Sequence, residues 1–224
     1  LAESVPGRTI EPAKELTAYR DYCARYASYR ADPDLQELHR VKPWAVIWDD
    51  HEFANDAWMN GAGAHDPATE GAWADRKAAA VKAYFDWMPM RHKPADGLKI
   101  YRRLDWGNLA SILLLDTRLI GRDQQCNART ALAAAAQQGP DALKKAAQAF
   151  AAASLNDPKR SMLGATQEAW LAQQMRESKR SVQPWQIIAQ QVVMGNQTIP
   201  PDAPKMLPPD ASSWQKSFVE NAVA

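Results

Sequence analysis

At 224 residues the chain is long enough for one domain, at most two, around a sizeable core. Its 27 basic and 26 acidic residues leave a formal charge of +1 with no basic stripe, which excludes the electrostatic footprint of a nucleic-acid or membrane-surface binder. No apolar run approaches the ~20 residues that a spanning helix needs.

The predicted elements begin with "LTAYRDYCARYASYR", where Tyr19, Tyr22, Cys23 and Tyr26 share one helix face as an aromatic core stripe. Asp32 and Pro33 then supply an N-cap and a first helical position, and Leu35 and Leu38 are expected to face inward. The apolar run Ala45-Val46-Ile47, flanked by Trp44 and Trp48, reads as a buried strand covered on both faces. "NGAGAHDPATEG" is a loop by its Gly, Asn and Pro content. Trp73, Val81, Tyr84 and Met88 mark a helix that Pro89 ends.

Two strands joined by a turn at Trp106, Gly107 and Asn108 follow, the second arm (Ala110 to Leu115) apolar enough for the middle of a sheet. Thr130 to Ala153 is Ala-rich and reads as two helices broken at Gly139-Pro140. Thr166 is placed as the cap of another helix, "WQIIAQQVVM" as a strand, and "IPPDAPKMLPPD" as an extended segment. A short helix burying Trp214 and Phe218 is expected last. Helices alternating with apolar strands argue for an α/β domain.

Cys23 and Cys126 match no metal or redox spacing. They read as buried thiols in preference to a pair in an oxidising compartment. The chain opens on Leu1, as a processed product or a fragment would, and no signal peptide is visible in it.

Chemistry concentrates in "WAVIWDDHEFANDAW". Asp49, Asp50, His51 and Glu52 sit together where an apolar segment ends, the place where functional groups collect in α/β sheets. Four ionisable groups there are costly to bury unless something compensates their charge, and a cation is the obvious compensator. The bland alternative is a solvated acidic turn, but Trp48, Phe53 and Trp58 crowd the cluster with rings that do not suit one. In extended chain Asp50 and Glu52 point opposite to Asp49 and His51, so all four cannot meet one metal from a straight strand and a turn must begin here.

These residues resemble the signature of the PhoD-type alkaline phosphatases, calcium- and iron-dependent members of the metallophosphoesterase group. "VIWDDHEFANDAW" is the specific part. The Tyr-rich N-terminal stretch, "DWMPMR", "LLLDTR", "GATQEAWL" and "WQIIAQQVVMG" support it in family order. The resemblance implies a phosphate ester substrate, hydrolysis by metal-activated water, a periplasmic or secreted location, and part of a two-sheet sandwich flanked by helices. It makes residues 1–224 one domain, the central part of a catalytic domain.

It further implies that Asp50 and Asn55 ligate calcium and that His51 is the catalytic imidazole. Asp49 and Glu52 would orient the ligands, though Glu52 could equally be a helix-start carboxylate. Arg118 and Arg91 could reach phosphate, but ordinary salt bridges explain both equally well. His39 and His92 read as structural, while His65 could approach a substrate from its loop.

The departures concern iron. The family holds Fe3+ with an early Asp and Cys, a Gly-Asp-x-x-Tyr segment and a late Asp-x-His element. None of the ten glycines here precedes Asp, and no His follows His92. The iron ligands are not found in this chain, which reads as the middle of a longer protein; the missing strands could also come from a companion chain. The alternative is a non-catalytic phosphate-binding or interaction module.

Overall fold

The computed structural model describes residues 10–194 and 200–211, with Ser213, Lys216 and Val219 beyond them. Two compact units divide the chain, one running to Gln191 and the other from Val192. The first carries α1 (Tyr19–Arg30), α2 (Pro33–Val41), α3 (Pro67–Glu70), α4 (Trp73–Trp87), β1 (Arg102–Trp106), β2 (Ala110–Leu114), α5 (Ala128–Ala136), α6 (Pro140–Phe150), α7 (Gly164–Arg180) and β3 (Trp185–Ala189). The second contains α8 (Ala203–Met206), a helical turn within the proline-rich segment read as extended. The predicted helix around Trp214 and Phe218 lies outside the described residues.

The fold is mixed α/β, with one three-stranded sheet among the described residues. β1 and β2 form an antiparallel hairpin pairing Arg102 with Leu114 and Trp106 with Ala110. Gly107 makes the turn at φ +53°, a backbone conformation open to glycine without steric cost. β3 joins β2 in parallel, Ala110 opposite Trp185 and Leu114 opposite Ala189. The apolar arm is therefore the central strand, and it is buried at Ala110, Ser111, Leu113 and Leu114.

The tyrosine stripe of α1 packs toward α4. Tyr22, Trp48, Phe53, Ala80, Ala83 and Tyr84 form the buried core, with Tyr19, Cys23 and Tyr26 against it. Trp48 meets Phe53 and Tyr84 edge-on, at ring centroid distances of 5.4 and 5.3 Å, the arrangement that ring quadrupoles favour. Asp21 orders the start of α1, accepting from Ala18 N at 3.1 Å and Thr17 N at 3.4 Å and pairing with Lys14 at 2.7 Å. Asp32 caps α2 as expected, accepting from the amides of Asp34 and Leu35.

Four local expectations need correction. Residues 43–49 form no regular element, and no strand pairs with them among the described residues. Val46 and Trp48 are buried and Ile47 packs half-buried against the core, whereas Trp44 and Ala45 are exposed, so burial begins only at Val46. Arg102, not a neighbouring strand, satisfies Val46 O, donating from Nη2 at 2.8 Å. Leu38 faces outward at 44 % exposure, while Leu35 is half-buried.

α7 begins at Gly164 rather than after Thr166, because Ser161 Oγ accepts from Gly164 N at 2.7 Å and sets the first turn. β3 ends at Ala189, where Gln191 turns inward to accept from Thr117 Oγ1 at 2.6 Å and to donate to Leu115 O at 2.8 Å.

Candidate active site

The acidic stretch closes into a turn immediately after Trp48. Asp50 O accepts from Phe53 N at 2.8 Å and from Ala54 N at 2.9 Å. The Asp50 side chain is buried beneath that turn, where Oδ2 accepts from Asp56 N at 2.7 Å. Asp56 itself takes φ +57°, a left-handed position that Asp tolerates better than most residues. The Gly-rich loop seals this side, with Gly63 N donating to Asp56 O and Ala64 N to Asn55 O.

Two sets of groups emerge from the turn. On one side, Asp49 Oδ1 accepts from Arg118 Nε at 2.6 Å, and Asp50 Oδ1 lies 3.7 Å from Arg118 Nη2. On the other, His51 Nε2 pairs with Asn55 Oδ1 at 2.9 Å, and Asn55 Nδ2 donates to Asp56 Oδ2 at 3.1 Å. The Asn55 bond raises the His51 pKa above the usual imidazole value, partial burial opposes it, and the charges of Asp50, Glu52 and Asp49 add to the rise. Glu52 folds back to accept from Asp49 N at 2.6 Å, and burial pushes its carboxyl upward. That makes Glu52 a brace within the turn.

His51, Glu52, Phe53 and Asn55 line a cleft of about 410 Å³, whose other walls include Lys14, Glu15, Arg25, Tyr29 and Arg76. Asp50 supports this wall from below. Arg91 lies elsewhere, in a different cleft beside His92 and Arg102. His65 is sealed, its side chain only 1 % exposed and its Nδ1 3.1 Å from Glu70 Oε2. His39 stacks on Trp44 and His92 on Phe85.

Three functional supports escaped sequence reasoning. Arg76, from α4, reaches Phe53 O, Ala64 O, Glu70, Glu15 and the Tyr22 hydroxyl. Tyr22 donates in turn to Phe53 O at 2.6 Å. Arg122 stands behind Arg118 and donates to Thr117 O; burial first, and Arg118 second, hold its guanidinium below its usual pKa. Only the i, i+3 helical spacing of Trp73 and Arg76 hinted that Arg76 turns inward.

The "LLLDTR" segment is positioned from beneath. Asp116 Oδ1 accepts from Arg118 N at 2.8 Å and Leu119 N at 3.0 Å. Gln167 of α7 accepts from Asp116 N and donates to Asp116 O, like a strand partner.

Calcium prefers hard oxygen donors, which Asp50, Asn55 and Asp56 offer. Asn55 Oδ1 keeps a lone pair free beyond its bond to His51. Among the described residues, however, no three His, Cys, Asp or Glu side chains gather as a metal-holding group. Asp50 and Asn55 offer oxygen donors of the kind calcium takes, but they leave the turn on different sides, and the described residues assemble no ligand group for iron.

Comparison with known proteins follows the same lines. A family model described as PhoD-like phosphatase matches residues 2–220. Alkaline phosphatase D of Bacillus subtilis (strain 168) is 33% identical over 181 residues, 80% of this chain and 27% of that protein. A solved structure of PhoD superposes with a TM-score of 0.65 at 28% identity, covering 91% of this chain and 35% of that one. The chain thus spans about a quarter of the length of the curated relative it matches.

Proposed function

The chain belongs to the PhoD-like phosphatase family, and from that premise we propose that it supplies the phosphate-facing part of a metal-dependent phosphoesterase acting on phosphate mono- or diesters. The observation that carries this reading is His51 held 2.9 Å from Asn55 on the wall of an open cleft, above a buried Asp50.

His51 is the proton-handling group at the leaving oxygen. Its raised pKa keeps it protonated to a higher pH, as an acid needs. Asn55 orients the imidazole through Nε2, and Glu52 holds the Asp49 amide so that the turn keeps its shape. Asp50 and Asn55 would hold calcium. When bound, the metals would offset charge on the phosphoryl oxygens and lower the pKa of the attacking water. Arg118 fixes Asp49 and balances Asp50, so its role here is to hold the acidic turn in place.

Iron donors would come from a companion chain, with the three-stranded sheet completed into a two-sheet sandwich. The exposed apolar residues on both sheet edges support that completion: Trp106 is 66% exposed on β1, and Trp185 64% on β3. Residues 1–224 would then be the central part of one catalytic domain, in a periplasmic or secreted protein. No helix among the described residues is long and apolar enough to cross a membrane.

The test is native mass spectrometry of the protein purified from its source, coupled to a chromogenic phosphodiester assay with calcium and iron. Turnover should travel with a two-chain species and fall by about 2–4 powers of ten in His51→Ala. A second reading, a phosphate-binding module without catalysis, draws on the lack of an assembled ligand group among the described residues. It predicts a single chain with no turnover under any metal.

A further inference from the structure

We infer that the cleft between the Met90–Lys99 loop, β1 and α7 is a separate anion site that takes a phosphate dianion, either free orthophosphate or the terminal group of an ester. The cleft has a volume of about 300 Å³ and shares no lining residue with the His51 cleft. The inference does not depend on the role given to His51.

Charge is the first argument. Arg91, Lys99, Arg102 and Arg103 all line the cleft, and Asp96 is the one carboxylate among its lining residues. Arg103 is committed to Asp105, at 2.7 Å, and to Gln183. Arg91, Lys99 and Arg102 form no ion pair with a carboxylate among the described residues. Three cations without a carboxylate partner among the described residues, against one acid, leave a surplus of two positive charges, which matches a phosphate dianion.

Arg102 is the second argument. It is half-buried, and its Nη1 and Nη2 donate to the carbonyls of Ile100 and Val46. A cation desolvated against neutral partners lacks a counter-charge, and burial pulls its pKa down accordingly. An anion in the cleft would supply that counter-charge.

The wall is the third. Trp170 and Tyr101 pack 4.8 Å apart between ring centroids, and Lys99 Nζ lies 5.1 Å over the Tyr101 ring. This fixes the lysine stem and gives the cleft one flat apolar side. The arrangement suits a compact tetrahedral anion carrying a small organic group, and the volume is at the low end for ligand pockets.

The experiment is calorimetric titration of orthophosphate, and separately of non-hydrolysable phenylphosphonate, into the 224-residue chain at low salt without added metal. One saturable equivalent is expected. Binding should survive His51→Ala and weaken on the order of tenfold or more in Arg91→Ala/Lys99→Ala, since charge-assisted bonds are lost. Tighter phenylphosphonate binding would identify an ester end as the ligand; equal or tighter orthophosphate would identify the free anion.

A two-dimensional NMR titration of the unmodified chain gives a readout that does not rely on the variants folding. Shifts should fall on the amides of residues 91–93 and 95–103 and on the Trp170 indole, identified by Trp170→Phe. Absence of saturable binding, unchanged affinity in the double variant, or shifts confined to His51–Asn55 would each overturn the inference.

Discussion

Replacing Arg76 with Met tests whether the acidic turn is held from outside by one buried cation. Arg76 is 2 % exposed and joins α4 to α1, to the Gly-rich loop and to the turn itself. Met preserves much of the stem's packing but leaves Glu70, whose side chain is 20 % exposed, without its 2.9 Å partner. Phe53 O retains its bond from Tyr22, so that carbonyl is not orphaned. Glu15 is 59 % exposed and can be rehydrated, so its pair contributes little.

Loss of one mostly buried ion pair together with the Tyr22 and Ala64 bonds should cost about 3–5 kcal/mol. That is a large part of the ~5–15 kcal/mol stability typical of a domain. Urea unfolding followed by tryptophan fluorescence should show the midpoint falling with the slope unchanged. A loss below about 1 kcal/mol would refute the clamp. So would a full loss in Arg76→Met that Arg76→Lys restored completely, because an ammonium lacks the guanidinium's fixed fork of donors.

Two other outcomes are expected. Asp116→Ala removes the acceptor of two buried amides, Arg118 N and Leu119 N, and should destabilise the chain by about 2–4 kcal/mol in the same unfolding experiment. Asp21→Asn should cost about 1 kcal/mol near neutral pH. The Lys14 partner, opposed by burial and aided by the Ala18 and Thr17 amides, holds the Asp21 pKa below the ordinary value. Its contribution is thus fully present above the unfolded carboxylate range, about pH 4, and is lost as pH falls through the lower folded value. The gap between the two proteins, read from thermal melts across pH, should close on acidification.

Local chemistry was legible in the sequence wherever the determinant lay within a few residues. Asp32-Pro33 announced a helix start, Gly107-Asn108 a hairpin, and the i, i+3, i+4 tyrosines a core face. The turn after Asp49 was expected because a straight strand cannot bring four such side chains to one cation; the turn is there, yet Asp50 and His51 leave it on different sides.

What depended on distant partners was hidden. Ala45-Val46-Ile47 has the composition of a covered strand, yet pairing requires a neighbour, and among the described residues Arg102 meets its backbone instead. Leu38 looked inward by period, but nothing among the described residues covers that face enough to bury it. Arg76 carries no motif, and Gln167 sits in a resemblance segment that does not reveal its role, because their value lies in contacts 23 and 51 residues away along the chain. Arg118 could be read as a phosphate ligand because a guanidinium fits either partner, and only the geometry pairs it with Asp49.

The most direct measurement is a calorimetric calcium titration of this chain beside Asp50→Asn and Asn55→Ala. If these two side chains bring a cation to the imidazole-bearing wall, the unmodified protein binds calcium, and each variant weakens that binding by roughly ten- to a hundredfold. Equal calcium affinity in all three proteins would contradict the account.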